Sequence, residues 1–208
     1  MDQVAGEELS DGRRLRAARN RDAVVEAVLE ILREQGGGPV PGAAEVAERA
    51  GVSERTVFRH FADLDSLFVA AARHQRPLFV SFLAPRPDGK ELDKRIADLV
   101  RLRSRLYEEI SPIRRVALNF LPDHESLGRL LAEATKASRA QLADVFQPEL
   151  QRAGRDRTLV LDEVDLVTSW SAWERLRKHS GMSAERSRKI TSDLLGAVLR
   201  PYSSRGRR

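Results

Sequence analysis

Apolar residues recur at helical spacing along most of the chain. One stripe lies within residues 13–35 and comprises Val24, Val28, Ile31 and Leu32. The next lies within residues 90–110 and comprises Leu92, Ile96, Leu99, Leu106 and Ile110. Spacings of three and four residues are typical of a helix with one buried face, and no segment shows the alternation that predicts a strand. The pattern therefore predicts an all-α protein of about nine helices.

Glycine, proline and helix-capping residues divide this pattern into segments. A loop rich in glycine and proline follows the first helix, Gly51 separates two short helices, and Asp63 can cap a fourth. The predicted helices span residues 13–35, 43–50, 54–60, 63–74, 90–110, a short segment that begins with Pro112, 123–147, 159–179 and 183–199. The predicted organisation is a flexible tail (1–12), a head (13–75), a larger helical domain (76–200) and a basic tail (201–208).

The composition is that of a globular protein without thiol chemistry. The 208 residues are 41% hydrophobic and 32% charged, and the absence of cysteine excludes disulfides and cysteine-based metal sites. The acidic first ten residues do not resemble a secretory signal, and no apolar run approaches the roughly 18 residues of a membrane span. We therefore expect a cytoplasmic protein that does not enter a membrane.

The charge is sorted locally rather than by domain. A net charge of +5 favours an anionic partner, yet residues 1–75 carry 10 basic and 13 acidic residues. Between Asp11 and Asp22 no acid occurs, and the basic residues there are Arg13, Arg14, Arg16, Arg19 and Arg21. Because salt screens charges beyond about 8–10 Å, this local cluster matters more than the sum. The cluster is either a DNA-contacting arm or the solvated start of a helix.

The stretch Ala44–Phe61, AEVAERAGVSERTVFRHF, has the pattern of a helix-turn-helix. Ala47 is small enough for two helices to cross closely, and Gly51 can take the positive φ that the turn needs. The residues expected to form the shared core are Val46, Ala50, Val52, Val57 and Phe61. The residues expected to face outward, into a DNA major groove, are Glu54, Arg55, Phe58 and Arg59.

These outward residues have distinct expected roles. Arg55 and Arg59 are the candidates for bidentate hydrogen bonds to guanine, although arginines on a helix can also be solvated or contact phosphate. Ser53, Thr56 and His60 are candidates for phosphate contacts. Ser53 would equally serve as a helix N-cap, and His60 as a packed residue at the rim.

Residues 16–75 resemble the tetracycline-repressor (TetR) family of regulators. The resemblance rests on the AERAGVS turn, the TVFRHF helix and the following Asp65–Phe68 segment, DSLF. It implies a homodimer that binds a partly palindromic DNA operator, usually as a repressor, and is released when a small molecule binds the C-terminal domain. The chain departs from the family at Phe58 (usually Tyr), at Leu64 (usually Lys) and at Pro41 and Gly42 (usually Ser or Thr). Each departure removes a phosphate anchor that is independent of DNA sequence.

The helical domain offers candidates for a ligand pocket and a dimer contact. Arg103 lies on an otherwise apolar stripe, where it either reaches out to solvent or faces a cavity and an anionic ligand. The other candidate lining residues are Leu99, Leu106, Phe120, Trp170 and Trp173, although tryptophans are more often core than lining. Within residues 159–179, Leu166 and the tryptophans share one face and Val160, Val164 and Val167 another, which predicts a second subunit on one of them. The stripe Ile190, Leu194 and Val198 would complete that contact.

Catalysis is not expected from this sequence. The four histidines, His60, His74, His124 and His179, are dispersed, and neither a glycine-rich phosphate loop nor a G-x-S-x-G turn occurs. The acidic run at Asp162–Asp165 suits the start of a helix. We expect no metal, no cofactor and no catalytic residue. A protein-binding adaptor built on the same motif is the remaining alternative, and the outward arginines argue against it.

Overall fold

The computed structural model describes residues 2–36, 39–84, 87, 89–119 and 125–203, and the side chains among them from residue 14 onward, that of residue 126 excepted. These residues contain helices and no strand, so the predicted all-α class is confirmed. The helices are α1 (Asp2–Glu34), α2 (Ala43–Arg49), α3 (Glu54–His60), α4 (Leu64–His74), α5 (Arg76–Leu83), α6 (Leu92–Asn119), α7 (Glu125–Val145), α8 (Gln147–Arg152), α9 (Arg157–Val167), α10 (Trp170–Glu174) and α11 (Ala184–Leu199). A π-helical turn, Arg175–His179, follows α10 directly.

The chain divides into two compact units. The first comprises Met1–Gln75 and Ser111–Gly128, and the second comprises Arg76–Ile110 and Arg129–Arg208. Residues 111–119, which were expected in the larger helical domain, are therefore grouped with the first unit. The reason is packing, because Ile113 and Val116 are buried in the core of that unit. Helix α6 thus supplies residues to both units.

The core of the first unit is built on α1. Val24, Val28, Ile31 and Leu32 are buried, as the stripe predicts, and they pack with residues of α2, α3 and α4. The helix begins earlier than expected, at Asp2, so residues 2–12 are helical where a tail was predicted. Helix-favouring Ala, Glu and Leu residues in this segment outweigh its two glycines.

Two prolines lie where the sequence analysis placed a boundary or a helix start. Pro77 lies in the first turn of α5, a position that tolerates proline, so residues 76–83 are helical rather than part of a loop. Pro112 lies inside α6, which continues from Leu92 to Asn119 instead of ending near Ile110. A proline there removes one backbone hydrogen bond. The buried side chains Ile110, Ile113 and Val116 on either side of it hold the helix together.

The predicted helix 159–179 is broken in the second unit. α9 ends at Val167, and Ser169 caps α10 by accepting a hydrogen bond from the backbone N–H of Ala172 at 3.1 Å. The expectation that Leu166 shares a helix face with Trp170 and Trp173 is therefore wrong, because these residues lie on two separate helices. The capping side chain competes with the helical conformation at this point and stabilises the break.

Candidate nucleic-acid interface

The turn between α2 and α3 has the conformation that the sequence predicts. Gly51 has a φ of +65°, and the backbone N–H of Val52 donates to the carbonyl of Ala47 at 3.0 Å. Ala47 is buried at the helix crossing, and Val57 and Phe61 are 1% and 3% exposed beneath it. A side chain at residue 51 would be strained in this left-handed region. The buried inner face fixes which side of α3 points outward.

Both helices that follow the turn are capped by side chains. Ser53 Oγ accepts a hydrogen bond from the Thr56 backbone N–H at 3.2 Å and lies 3.0 Å from Thr56 Oγ1. Asp63 and Ser66 form a reciprocal capping box at the start of α4. The hydroxyl of Ser53 is therefore used within the protein, as the N-cap alternative expects. Each cap contributes about 1 kcal/mol to keeping the two helices in place.

The outward face of α3 is exposed along its whole length. Glu54, Arg55, Phe58 and Arg59 are exposed, with 49% of Phe58 accessible. Among the described residues, neither Arg55 nor Arg59 forms an ion pair or a hydrogen bond. Two guanidinium groups without an internal partner are available to an external acceptor. Phe58 can offer only apolar contact, such as with a thymine methyl group.

A positive cluster lies at the end of α3. The Arg21 guanidinium stands 5.0 Å above the ring of Phe61, and Arg21 and Arg59 both act electrostatically on His60. Burial lowers the pKa of His60 below its ordinary 6.5, and these two arginines lower the pKa further. His60 is therefore neutral at pH 7, while the arginines beside it carry the charge.

We expect His60 to make stability depend on pH. Because its pKa is lower in the folded state, the unfolded chain takes up a proton first as the pH falls below about 6.5. The melting temperature should therefore fall between pH 7.5 and 5.5, and less so in His60→Gln than in the parent protein. His179→Gln removes an exposed histidine and is the matched control. Equal pH profiles for His60→Gln and the parent protein would contradict the lowered pKa.

The helix-turn-helix is also recognisable by comparison with known proteins. Residues 24–71 match the model of the bacterial regulatory proteins of the tetR family. This match runs from the buried part of α1 through α2 and α3 into α4, which are the elements just described. The head therefore carries the N-terminal domain of the TetR family. None of the curated protein sequences is significantly similar to it.

Several solved structures have a similar fold. One described as a TetR-family transcriptional regulator from Mesorhizobium loti is 21% identical, with a TM-score of 0.61 over 88% of this chain and 96% of its own. The fatty acid degradation regulator FadR from Bacillus halodurans is 15% identical, with a TM-score of 0.56 over 84% and 93%. The multidrug binding protein EbrR, solved with imidazole, is 23% identical, with a TM-score of 0.52 over 85% and 92%. At these identities the likeness concerns the TetR-like fold.

Arg103 neither reaches solvent nor faces a large cavity. Its side chain is buried and donates to the Thr168 carbonyl at 3.1 Å, to Thr168 Oγ1 at 2.8 Å and to the Ser138 carbonyl at 2.8 Å. Gln141 Oε1 lies at 3.4 Å. Among the described residues, no carboxylate pairs with Arg103, and its Nε has no partner. The carbonyl at the end of α9 offsets part of the charge.

The other ligand candidates are brought together only in part. Arg103 and Trp173 line a cavity of about 10 Å³, which holds about one water molecule. Leu99, Leu106 and Trp170 are buried elsewhere in the core, and Phe120 lies outside the described residues. Tyr107, which was not among the expected residues, lines the same cavity and donates to the Thr168 carbonyl at 2.7 Å. Its place on α6, four residues after Arg103, was the available signal.

Metal-binding clusters and membrane-spanning helices are both absent from the described residues. Groups of histidine, aspartate and glutamate that could hold a metal ion do not occur there. Helices long and apolar enough to cross a membrane do not occur there either.

Proposed function

We propose that this protein is a transcriptional repressor that binds a palindromic operator as a homodimer in the cytoplasm. The observation that carries the proposal is the outward face of α3, where Arg55 and Arg59 have no partner among the described residues. The proposed DNA-contacting residues are Ser53, Glu54, Arg55, Thr56, Phe58, Arg59 and His60. The arginines read base edges, and the polar residues around them position the helix on phosphates.

Binding rather than catalysis accounts for this site. The polar side chains on α3 lie on the exposed face of a short helix, whereas an active site needs a concave pocket that holds reacting groups together. An adaptor function is less well supported, because two unpaired guanidinium groups on the exposed face of the second helix of a helix-turn-helix suit the base edges of a DNA groove.

A titration with the DNA upstream of the protein's own gene tests this function. A labelled upstream fragment and a shuffled fragment of the same composition are compared by fluorescence anisotropy between 50 and 200 mM salt. We expect the upstream fragment to bind at least about 1,000-fold more tightly, since specific binding of this kind exceeds non-specific binding by about 10³–10⁷. If both fragments bound equally and in a salt-sensitive way, the protein would be a DNA-binding protein without sequence specificity. No binding to either would favour the adaptor.

The second unit is proposed to hold the effector. Arg103 is a buried cation whose acceptors are all neutral, so an anionic oxygen would be a stronger partner than those it now has. Trp173, Tyr107 and Thr168 surround the same cavity. The cavity is small, so a ligand must displace side chains as it enters. Helix α6 supplies Arg103 to this network and Ile113 to the core of the first unit, which gives a continuous element through which the ligand could act.

We therefore expect acids, rather than their neutral analogues, to stabilise the protein and weaken its DNA binding. A series of carboxylic acids is compared with the amides of the same chain length in a thermal-shift assay. Acids that raise the melting temperature should lower operator affinity about 5- to 150-fold, the usual range of allosteric coupling. Acids and amides that stabilise equally would remove the role of Arg103. Stabilisers that never change operator affinity would contradict the release mechanism.

A further inference from the structure

The inner face of α1 is apolar and buried from Val24 onward, but exposed and partly charged on the N-terminal side of Val24. From Val24 onward this face is apolar and buried, and it includes Val25, Val28 and Leu32. The same stripe continues toward the N-terminus at spacings of three and four residues, where it reads Arg21, Ala18, Ala17 and Arg14. All four of these residues are exposed. The face that packs on protein in the head therefore presents arginine and alanine beyond it.

This exposed part of the stripe has the shape and charge of a phosphate contact. Seven residues of helix place Arg14 about 10.5 Å from Arg21, which corresponds to about three base-pair steps along DNA. The two alanines between them are small enough to let a nucleic-acid backbone approach the helix closely. No acidic residue occurs between Asp11 and Asp22, so the charged side chains from Arg14 to Arg21 are all positive.

The stripe is continuous with the proposed recognition surface within the first unit. Arg21 stacks on Phe61, which immediately follows α3, and it lies close enough to His60 to lower the pKa of that histidine together with Arg59. A positive surface therefore extends from the end of α3 onto α1. The partner that this charge fits is the one already proposed for α3.

We propose that the stripe Arg14–Ala17–Ala18–Arg21 of α1 binds the phosphate backbone of DNA that flanks the operator half-site. The inference rests on the proposed function and adds a second, sequence-independent contact to it. Such a contact supplies affinity that the head lacks at Phe58 and Leu64, which cannot hydrogen-bond to phosphate. It also makes binding depend on the length of DNA beyond the half-sites.

The opposite side of α1 provides a matched control. Arg16 and Arg19 are exposed and carry the same charge, but helical geometry directs them away from the stripe. Arg14→Ala/Arg21→Ala and Arg16→Ala/Arg19→Ala therefore remove equal charge from different faces. Arg14→Ala alone serves as a second variant that leaves the contact between Arg21 and Phe61 intact. Arg14→Lys/Arg21→Lys keeps the positive charge.

The experiment measures operator affinity between 50 and 200 mM salt on DNA with long flanks and on DNA trimmed to the half-sites. Each lost phosphate contact should lower the slope of log affinity against log salt by about 0.9. On long DNA, the parent protein should lose about 12-fold more affinity over this range than Arg14→Ala/Arg21→Ala, and about 3.5-fold more than Arg14→Ala. The lysine variant and the opposite-face variant should keep a slope close to that of the parent protein. On trimmed DNA these differences should disappear.

The outcomes separate this inference from the proposed function. Selective operator binding with equal slopes for the two double-alanine variants would overturn the contact on α1 and leave the function of α3 standing. A difference that persists on trimmed DNA would place the contact within the half-site and overturn the flanking position. Failure of the parent protein to bind DNA selectively would overturn both. Melting curves of each variant confirm that the head is folded.

Discussion

Replacing Leu166 with glutamate is expected to convert the protein from a dimer to a monomer and to lower its operator affinity about 10²- to 10⁴-fold. The loss of affinity is this large because a dimer binds two half-sites at once, and a monomer loses the advantage of two linked contacts. Leu166 on α9 is 71% exposed, Leu159 on the same face is 59% exposed, and Leu194 on α11 is 49% exposed. α9 packs against α11 through Val160, Val164, Leu195 and Leu199, which leaves these three leucines on the outside.

A twofold axis explains the size of this effect. In a symmetric dimer both subunits use the same patch, so one substitution places two glutamates in the contact. Each glutamate is buried without a partner or lies near the other, which has the same charge. Leu166 is a better test than Val167, because Val167 is half-buried against the core of its own unit. A glutamate at Val167 would destabilise the fold as well as the contact.

Val80→Glu is the matched control for Leu166→Glu. Val80 is 53% exposed and lies in the second unit, but it is on α5 rather than on α9 or α11. Sedimentation at micromolar concentration should show a monomer for Leu166→Glu and a dimer for Val80→Glu and the parent protein. A dimeric Leu166→Glu variant would exclude the α9 face as the contact.

The second large effect is expected at α3. Arg55→Ala and Arg59→Ala should each cost about 1–3 kcal/mol of operator binding, and each should relax the preference at one base position. Each variant removes one of the proposed bidentate contacts to guanine. Both side chains are exposed, so their removal should leave the fold undisturbed. Thr56→Ala should instead weaken binding to all DNA sequences about equally, because the contact proposed for its hydroxyl is with phosphate, which carries no sequence information.

Arg33→Ala controls for loss of charge in the same unit. Arg33 is exposed in the last turn of α1, about 18 Å along the helix from Arg21. Affinity is measured on the operator and on a set of operators with single base changes. If both α3 variants kept the affinity and the base preferences of Arg33→Ala, the reading of bases would have to lie elsewhere, with Glu54 the next candidate.

The helix-turn-helix was predictable because its signals are local. Gly51 takes the positive φ that the sequence suggested, and Ser53 and Asp63 cap the helices that follow them. The buried and exposed faces of α3 follow from spacing alone, since Val57 and Phe61 are four residues apart. Which of the outward residues contact DNA remains a prediction.

Other features depended on tertiary packing and could not be predicted locally. Pro112 reads as a helix start, yet buried neighbours on both sides hold α6 continuous. The break after Val167 depends on whether the Ser169 side chain caps a new helix or stays solvated, which spacing does not decide. Arg103 is surrounded by residues of α7 and by Thr168 at the end of α9, which lie far along the chain. The spacing of apolar residues on α6 alone therefore could not predict that Arg103 is buried among neutral partners.

A selection of binding sites from random DNA tests the central claim most directly. The parent protein and the Arg55→Ala/Arg59→Ala variant are each incubated with a pool of random duplexes, and the bound fraction is amplified and sequenced over several rounds. The account predicts that the parent protein enriches two inverted half-sites whose centres lie one helical turn, about 34–36 Å, or a multiple of it apart. The variant should enrich a weaker motif in which the preference is relaxed at two base positions, one for each arginine. A parent protein that binds the pool without enriching any sequence, or that enriches the same motif as the variant, would contradict the claim that α3 reads DNA.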